Sequence, residues 1–185
     1  MKDEERFDPR TILPEFDKFL HAKGESFNAV VIGAGALTIM KVLNRNTVDF
    51  DVLDPKIPPK ILKLADDFRL EMEKKGHKMI KNWLNNGPDG LLVNLAKDWR
   101  TRIVPFFKGE AITFHTLGRQ ELLGDKLWGY CDGRSHDRTA ILALKPTSEE
   151  LLKAAQWVKD QEGNALWPKR VDELTQSLLE ELRGK

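Results

Sequence analysis

Two aspartates separated by one residue are the most distinctive chemical feature of the sequence. Asp49 and Asp51 alternate with Val48, Phe50 and Val52, and on an extended strand this period directs both carboxylates to one face. An isolated pair of this kind is most often a solvated strand edge. Two carboxylates at that spacing can also share a divalent cation, and Mg²⁺ is held by one or two carboxylates together with substrate phosphates. The chemical interpretation is therefore a magnesium site that acts on a phosphate substrate.

The segment before the aspartates supplies a second feature. An apolar run at 28–32 leads into a turn of small residues, Gly33, Ala34 and Gly35, and a helical apolar pattern follows. Such a turn lets a phosphate approach the backbone at a helix N-terminus, where free N–H groups and the helix dipole favour an anion. It is not a dinucleotide-binding fingerprint, because Thr38 stands where glycine or alanine is needed, and no Walker Gly-Lys-Ser/Thr follows. We expect this turn to bind phosphate.

Together these segments resemble the DNA polymerase β-type nucleotidyltransferase superfamily. The shared order is strand, small-residue turn, helix, and then a basic residue and a threonine ahead of Asp-x-Asp, here within 45–51. More narrowly, the chain is similar to small bacterial nucleotidyltransferase-like proteins that include the toxins of abortive-infection toxin–antitoxin pairs. A second block at 117–138 supports the resemblance. That family has a leucine-rich helix with a lysine, then an arginine and an aspartate, which correspond to Lys126, Arg134 and Asp137.

The resemblance implies a role for each of these side chains. Asp49 and Asp51 would hold a Mg²⁺ ion that bridges the triphosphate of a nucleoside triphosphate, while the backbone of the glycine turn takes phosphate oxygens. Arg45 and Arg134 are expected at the nucleotide, and Lys126 is expected in the cleft as a catalytic residue. The substrate implied is a nucleoside triphosphate with Mg²⁺ as its cofactor.

The basic residues also have structural alternatives. Arg45 either binds phosphate through two parallel hydrogen bonds or pairs with an acid near Asp49. Lys126 lies among leucines, so it either extends outward from a core-facing helix or points into the cleft. Arg134 and Asp137 are expected to pair and fix the turn after that helix, and we favour this role for them over direct chemistry.

Two acids expected from the resemblance are missing. The third carboxylate of the superfamily is not evident, because the candidate strand at 91–95 carries Asn94, and no acid closely follows Asp137. Asp89 or Asp98 is a replacement if either reaches in from a loop. A second hypothesis follows, namely a non-catalytic nucleotide-binding or protein-interaction module, for instance one member of a toxin–antitoxin pair.

The elements that must position these residues follow from the apolar periodicity. We predict an α/β (α+β) fold, with a small mixed sheet of four or five strands flanked by helices and a helical C-terminal part. Residues 1–27 are expected to be a packing helix, 28–116 the nucleotidyltransferase-like core, and 117–185 a helical part of the same domain. The predicted strands are 28–33, 48–53, 91–95, 103–107 and 111–115, with helices between them, including a short one at 79–84, and with a capping box from Thr147 to Glu150.

Composition limits the classes of protein. The 30 Lys and Arg residues nearly cancel the 29 Asp and Glu residues, so bulk charge gives no argument for nucleic acid. The single Cys131 excludes an internal disulfide and fits a reducing compartment. No apolar run approaches the ~20 residues of a membrane helix, and the charged N-terminus has no signal-peptide core. We expect a cytoplasmic protein with no membrane contact, and the resemblance implies that it is bacterial.

The leading hypothesis is an Mg²⁺-dependent transfer of a nucleotidyl group from a nucleoside triphosphate to a hydroxyl of RNA, a protein or a small molecule. The expected partners are the nucleoside triphosphate and an RNA or protein acceptor. Under the second hypothesis, the amphipathic helices after residue 147 would supply a surface for a partner protein or a second copy of the chain.

Overall fold

The chain folds into two compact units in a computed structural model that describes residues 5–87 and 89–184. One unit contains a sheet and the other is helical. The first comprises the chain up to Val93 and Arg100–Leu117, and the second comprises Asn94–Trp99 and the chain from Gly118 onward. The division at residues 27 and 116 that the sequence suggests stays a prediction.

A five-stranded mixed sheet forms the centre of the first unit. Its strand order is β3-β2-β1-β5-β4, in which β1–β2 and β4–β5 are antiparallel and β1–β5 and β2–β3 are parallel. The elements are α1 (Pro9–Ala22), β1 (Phe27–Ile32), α2 (Ala34–Ile39), β2 (Phe50–Asp54), α3 (Pro59–Lys74), β3 (Leu84–Asn86), α4 (Asp89–Asn94), a short 3-10 helix (Trp99–Arg102), β4 (Val104–Lys108) and β5 (Ile112–Thr116). The predicted fold class, a small mixed sheet flanked by helices, is confirmed.

An aromatic core lies on one face of this sheet. Phe50 and Trp83 are fully buried, and the ring centroids of Phe16 from α1 and Phe68 from α3 lie 5.0 and 5.6 Å from that of Trp83. The Trp83 indole Nε1 donates to the carbonyl of Ala65 at 3.0 Å, so its polar atom is satisfied inside the core. With this face filled by apolar side chains, the opposite face of β2 is left for the carboxylates.

A buried carboxylate ties α1 to the β4–β5 hairpin. Asp17 accepts hydrogen bonds from the backbone N–H groups of Glu110, Ala111 and Ile112 at 3.0, 3.0 and 2.7 Å. A Cβ at Gly109 would overlap the Asp17 carboxylate, so the hairpin requires glycine there. These bonds fix the position of β5 beside β1.

The second unit is built from four helices, α5 (Arg119–Cys131), α6 (Asp137–Leu144), α7 (Ser148–Lys159) and α8 (Trp167–Arg183). The predicted capping box is confirmed, since Thr147 Oγ1 accepts from Glu150 N and Glu150 Oε2 accepts from Thr147 N, at 3.1 and 2.8 Å. Arg119 also donates to Glu150, and this hydrogen bond, together with that from the Thr147 backbone, lowers the pKa of Glu150 to about 2. Among the described residues, no helix has the length and apolar character needed to cross a membrane.

Two predicted elements are wrong. The expected helix at 79–84 is an irregular segment that leads into β3. Met79 and Trp83 are apolar because they pack into the core, and their spacing does not reflect one face of a helix. The expected strand at 91–95 lies largely in the helix α4, in which Leu91 is buried and Val93 is 83% exposed. A short apolar run of this kind does not distinguish a strand from a helix.

Candidate active site

The two aspartates lie where β1 and β2 pair. Val31 is opposite Val52, and Ile32 is opposite Asp51. Val31 and Val52 belong to the core, so the alternation of strand side chains places Asp51 on the other face of the sheet. Asp49 precedes the first residue of β2, and the predicted strand therefore begins two residues later than expected.

The two carboxylates interact electrostatically. Burial raises the pKa of Asp49 to about 6, and the negative charge of Asp51 acts in the same direction, while Arg6 opposes the shift. Both aspartates are half-buried. Ionisation of Asp49 therefore places two like charges close together, which is the situation that a divalent cation relieves.

The glycine turn packs directly against these acids. Gly33 has φ +88°, and a Cβ added to it would lie 2.8 Å from Asp51 Oδ2. A Cβ on Gly35 would lie 2.7 Å from the Phe50 ring and 3.3 Å from the carbonyl oxygen of Asp49. The turn and the acids thus form one tightly fitted surface. The helix that follows, α2, has only six residues.

Asn85, which the sequence analysis did not identify, is the residue of β3 that pairs in register with Asp51. β3 runs parallel to β2 with Asn85 in register with Asp51, so the two side chains share a face at a strand spacing of about 4.8 Å. Asn85 Nδ2 donates to the carbonyl of Asn82 at 3.4 Å, which leaves the amide Oδ1 to face other groups. A Cβ on Gly87 would lie 3.2 Å from Asp51 Cβ, so the chain after β3 also borders the site.

This register corrects the expected position of the third acid. Asn94 is at the end of α4 and is not on a strand, whereas the strand beside Asp51 is β3 and carries Asn85. The side chain of Asp89 lies outside the described residues. The two consecutive asparagines before Gly87 are typical of a turn and are unfavourable in strands, so no local signal marked β3.

The donor set suits a hard cation that is completed by its substrate. Within residues 5–87 and 89–184, no three His, Cys, Asp or Glu side chains gather as a metal-binding group. Two carboxylate oxygens, with an amide oxygen on the next strand, leave coordination positions for water and phosphate, as Mg²⁺ prefers. The residues present therefore fit a substrate-bridged Mg²⁺ ion.

Arg45 lies in the loop between α2 and β2 of the first unit. Thr38 Oγ1 donates to the backbone carbonyl of Arg45 at 3.0 Å and holds this segment in place. The Arg45 Nε is buried and has no hydrogen-bond partner in the described part of the chain. No acid pairs with Arg45 among those residues, so the structure does not supply the acid partner of the alternative interpretation.

Lys126 lies in a buried charge cluster of the second unit. Its Nζ is 2.8 Å from Asp125 Oδ2 and 3.5 Å from Asp137 Oδ1, and the Arg134 Nε is 3.4 Å from Asp137 Oδ2. Burial by itself lowers the pKa of Lys126, but the two carboxylates more than offset it and the pKa is raised. Lys126 is 5% exposed, so the alternative that it extends into solvent is wrong. The predicted Arg134–Asp137 pair is present.

The structure thus has a carboxylate pair at the start of β2, next to a glycine turn, on a five-stranded mixed sheet. The chain belongs to the family described as "Nucleotidyltransferase of unknown function (DUF6036)", whose family model matches residues 11–157. That range contains all the site residues predicted from the sequence. No curated protein and no solved structure matches the chain significantly.

Proposed function

We propose that the protein transfers a nucleotidyl group from a nucleoside triphosphate to a hydroxyl group in a Mg²⁺-dependent reaction. The observation that carries this proposal is the half-buried pair Asp49 and Asp51, whose mutual repulsion adds to the raised pKa of Asp49. Membership of a nucleotidyltransferase family supports the same reaction class. A cytoplasmic location is part of this proposal.

In this reaction the acceptor oxygen forms a bond to the α-phosphorus and its hydroxyl proton passes to solvent, while the bond from that phosphorus to the bridging oxygen breaks and pyrophosphate leaves with the electron pair. Asp49 and Asp51 would hold Mg²⁺, which when bound neutralises charge on the triphosphate. Asn85 Oδ1 lies on the same face and would accept from a water of that site. The turn at Gly33 brings backbone close to Asp51, and it is the element we assign to phosphate oxygens together with Ala34 and Gly35.

Arg45 is proposed as a phosphate contact because its guanidinium Nε is buried without a partner among the described residues. A planar guanidinium binds phosphate oxygens through parallel hydrogen bonds, and burial strengthens them. Lys126 and Arg134 keep their predicted catalytic and nucleotide-binding roles as part of the proposal. Their charges are already balanced by Asp125 and Asp137, so these two roles rest on the family resemblance.

A transfer assay tests the proposal. The protein is incubated with each nucleoside triphosphate labelled at the α-phosphate, with Mg²⁺, and with pooled RNA or protein acceptors. Label should move to an acceptor in the presence of Mg²⁺, and Asp51→Asn should abolish transfer while the exposed Asp67→Asn should not. Transfer that survives Asp51→Asn, or that never occurs with any triphosphate and acceptor, would contradict the proposal.

The neutral Asn85 beside Asp51 favours a second candidate function, a non-catalytic nucleotide-binding or protein-interaction module of a toxin–antitoxin type system. Under this alternative the amphipathic helices of the second unit form the partner surface, and Leu152 and Leu166 are exposed there at 55% and 73%. Nucleotide binding that is independent of Mg²⁺, together with a stable complex or dimer in size-exclusion chromatography, would favour it. A monomer with Mg²⁺-dependent transfer would exclude it.

A further inference from the structure

A basic cavity of about 330 Å³ lies in the first unit. Among the residues that the structure describes, it is lined by Arg6, Phe7, Gly76, His77 and Lys78, of which three carry basic side chains and none is acidic. A volume of this order is at the lower end of the range of small-ligand sites. The lining chemistry favours an anion.

Backbone pairing places the N-terminal wall of this cavity next to the acid pair. Phe7 N donates to the Thr47 carbonyl at 2.8 Å, and Thr47 N donates to the Phe7 carbonyl at 3.0 Å. Thr47 Oγ1 in turn donates to the carbonyl of Asp49 at 3.2 Å. The positive charge of Arg6 opposes the raised pKa of Asp49, so the charge of the cavity wall acts on the acid pair itself.

The other wall is a lysine-rich loop. α3 ends at Lys74, and Gly76 with φ +89° turns the chain so that the exposed His77 and Lys78 line the cavity. Four lysines and no acid occur in residues 74–81, although the whole chain carries a net charge of only +1. The positive charge is therefore a local feature of this edge, where the chain enters β2 and β3.

We propose that this basic cavity binds a phosphate group of the acceptor, so that the acceptor is a phosphate-bearing molecule rather than an uncharged one. The inference rests on the proposed nucleotidyl transfer. The donor triphosphate belongs to Asp49, Asp51 and the turn at Gly33, whereas Arg6 and Lys78 offer charge-assisted contacts to a second group of phosphate oxygens. The phosphate is either an internal phosphodiester or a terminal monophosphate.

Binding without metal separates the cavity from the acid pair. In EDTA, three probes are titrated into the full chain: a fluorescent ten-nucleotide single-stranded RNA with a 5′-hydroxyl, uridine monophosphate, and inorganic phosphate. Binding of the RNA alone indicates a phosphodiester, and binding of uridine monophosphate and inorganic phosphate without the RNA indicates a terminal phosphate. Binding of all three indicates a site that accepts a phosphate group of either kind. Lys78→Ala should weaken the binding severalfold. For RNA it should also reduce the slope of log affinity against log salt by about 0.7, the value for one phosphate contact to a single strand.

Lys63→Ala is the matched control, because Lys63 is an exposed lysine on α3 that does not line the cavity. Unchanged affinity in Lys63→Ala with a loss in Lys78→Ala supports the proposal. Failure of all three probes to bind, or equal effects of the two variants, overturns it. Asp49→Asn/Asp51→Asn should keep metal-free probe binding. Probe binding without any nucleotidyl transfer would therefore count against the proposed function alone, and Mg²⁺-dependent triphosphate binding without probe binding would count against the cavity alone.

Discussion

Two clusters of buried charge in this protein differ in how their charges are balanced. At the start of β2, two acids of like charge lie together, and the pKa of Asp49 is raised to about 6. In the second unit, Lys126 lies between Asp125 and Asp137, and the lysine is held in its charged form. Two carboxylates that repel each other are stabilised by a bound cation, whereas carboxylates that already pair with a lysine do not require one. From this comparison we expect the acids to bind a cation, and we expect the ion pairs of Lys126 to stabilise the second unit in addition to the catalytic role proposed for that lysine.

The largest expected effect on stability comes from removing the lysine of the balanced cluster. Lys126→Met keeps the side-chain length but leaves Asp125 and Asp137 without their shared cation, and a broken buried ion pair costs about 3–5 kcal/mol. Chemical denaturation of this variant should show that loss, and the exposed Lys153→Met should show almost none. If Lys126→Met is as stable as the wild type, the cluster does not have the structural role assigned to it.

Removing a charge from the acid pair should not destabilise the protein, in contrast to removing the charge of Lys126. Asp51→Asn removes a charge that repels Asp49, so the metal-free protein should be as stable as the wild type or more so. The same change should lower Mg²⁺ affinity by more than about 100-fold. Losing a residue that only hydrogen-bonds to a metal ligand costs roughly 10- to 100-fold, and the loss of a ligand itself should cost more. Thermal unfolding with and without Mg²⁺ and nucleoside triphosphate measures both effects. Equal ligand stabilisation of the variant and the wild type would contradict the assignment.

The contribution of the acid pair to the stability of the protein should depend on pH. The pKa of Asp49 is raised in the folded state, so the stability due to its protonated form is fully present below about pH 4 and is lost as pH rises through about 6. In EDTA, the free energy of unfolding of Asp49→Asn relative to that of the wild type should increase by about 1 kcal/mol from pH 4.5 to pH 7.5, after allowance for solvent screening. Denaturation curves at the two pH values check this. A constant difference would show that Asp49 does not titrate in this range.

Adding a third acid to the site should change Mg²⁺ affinity less than removing Asp51 does. Asn85→Asp would place a carboxylate next to Asp51 and should raise Mg²⁺ affinity by about tenfold, since one more charge near the cation contributes on the order of 1 kcal/mol. Asn28→Asp adds the same charge at an exposed position of β1 and should change little. Calorimetric titration with Mg²⁺ compares the two variants. Similar affinities in both would mean that Asn85 does not border the cation.

The small-residue turn was predicted from local spacing, and the structure places Gly33 of that turn against Asp51. The alternation predicted over residues 48–52 holds only from Phe50 onward, because Asp49 precedes β2, and the role of the acid pair stays a prediction. Asn85 was missed, since β3 has only three residues and forms through pairing with β2 rather than through strand propensity. The burial of Lys126 was missed for a similar reason. A lysine among leucines indicates an outward side chain unless its partners are known, and Asp137 comes from another helix.

The most direct test of the central claim is a calorimetric titration of the protein with each nucleoside triphosphate, with and without Mg²⁺, repeated on Asp49→Ala/Asp51→Ala. The account predicts binding of at least one triphosphate that requires Mg²⁺ and disappears in the double variant, while the Lys153→Met control binds normally. Binding that persists in the double variant, or that is absent under all conditions, would contradict the assignment of the acid pair as the nucleotide site.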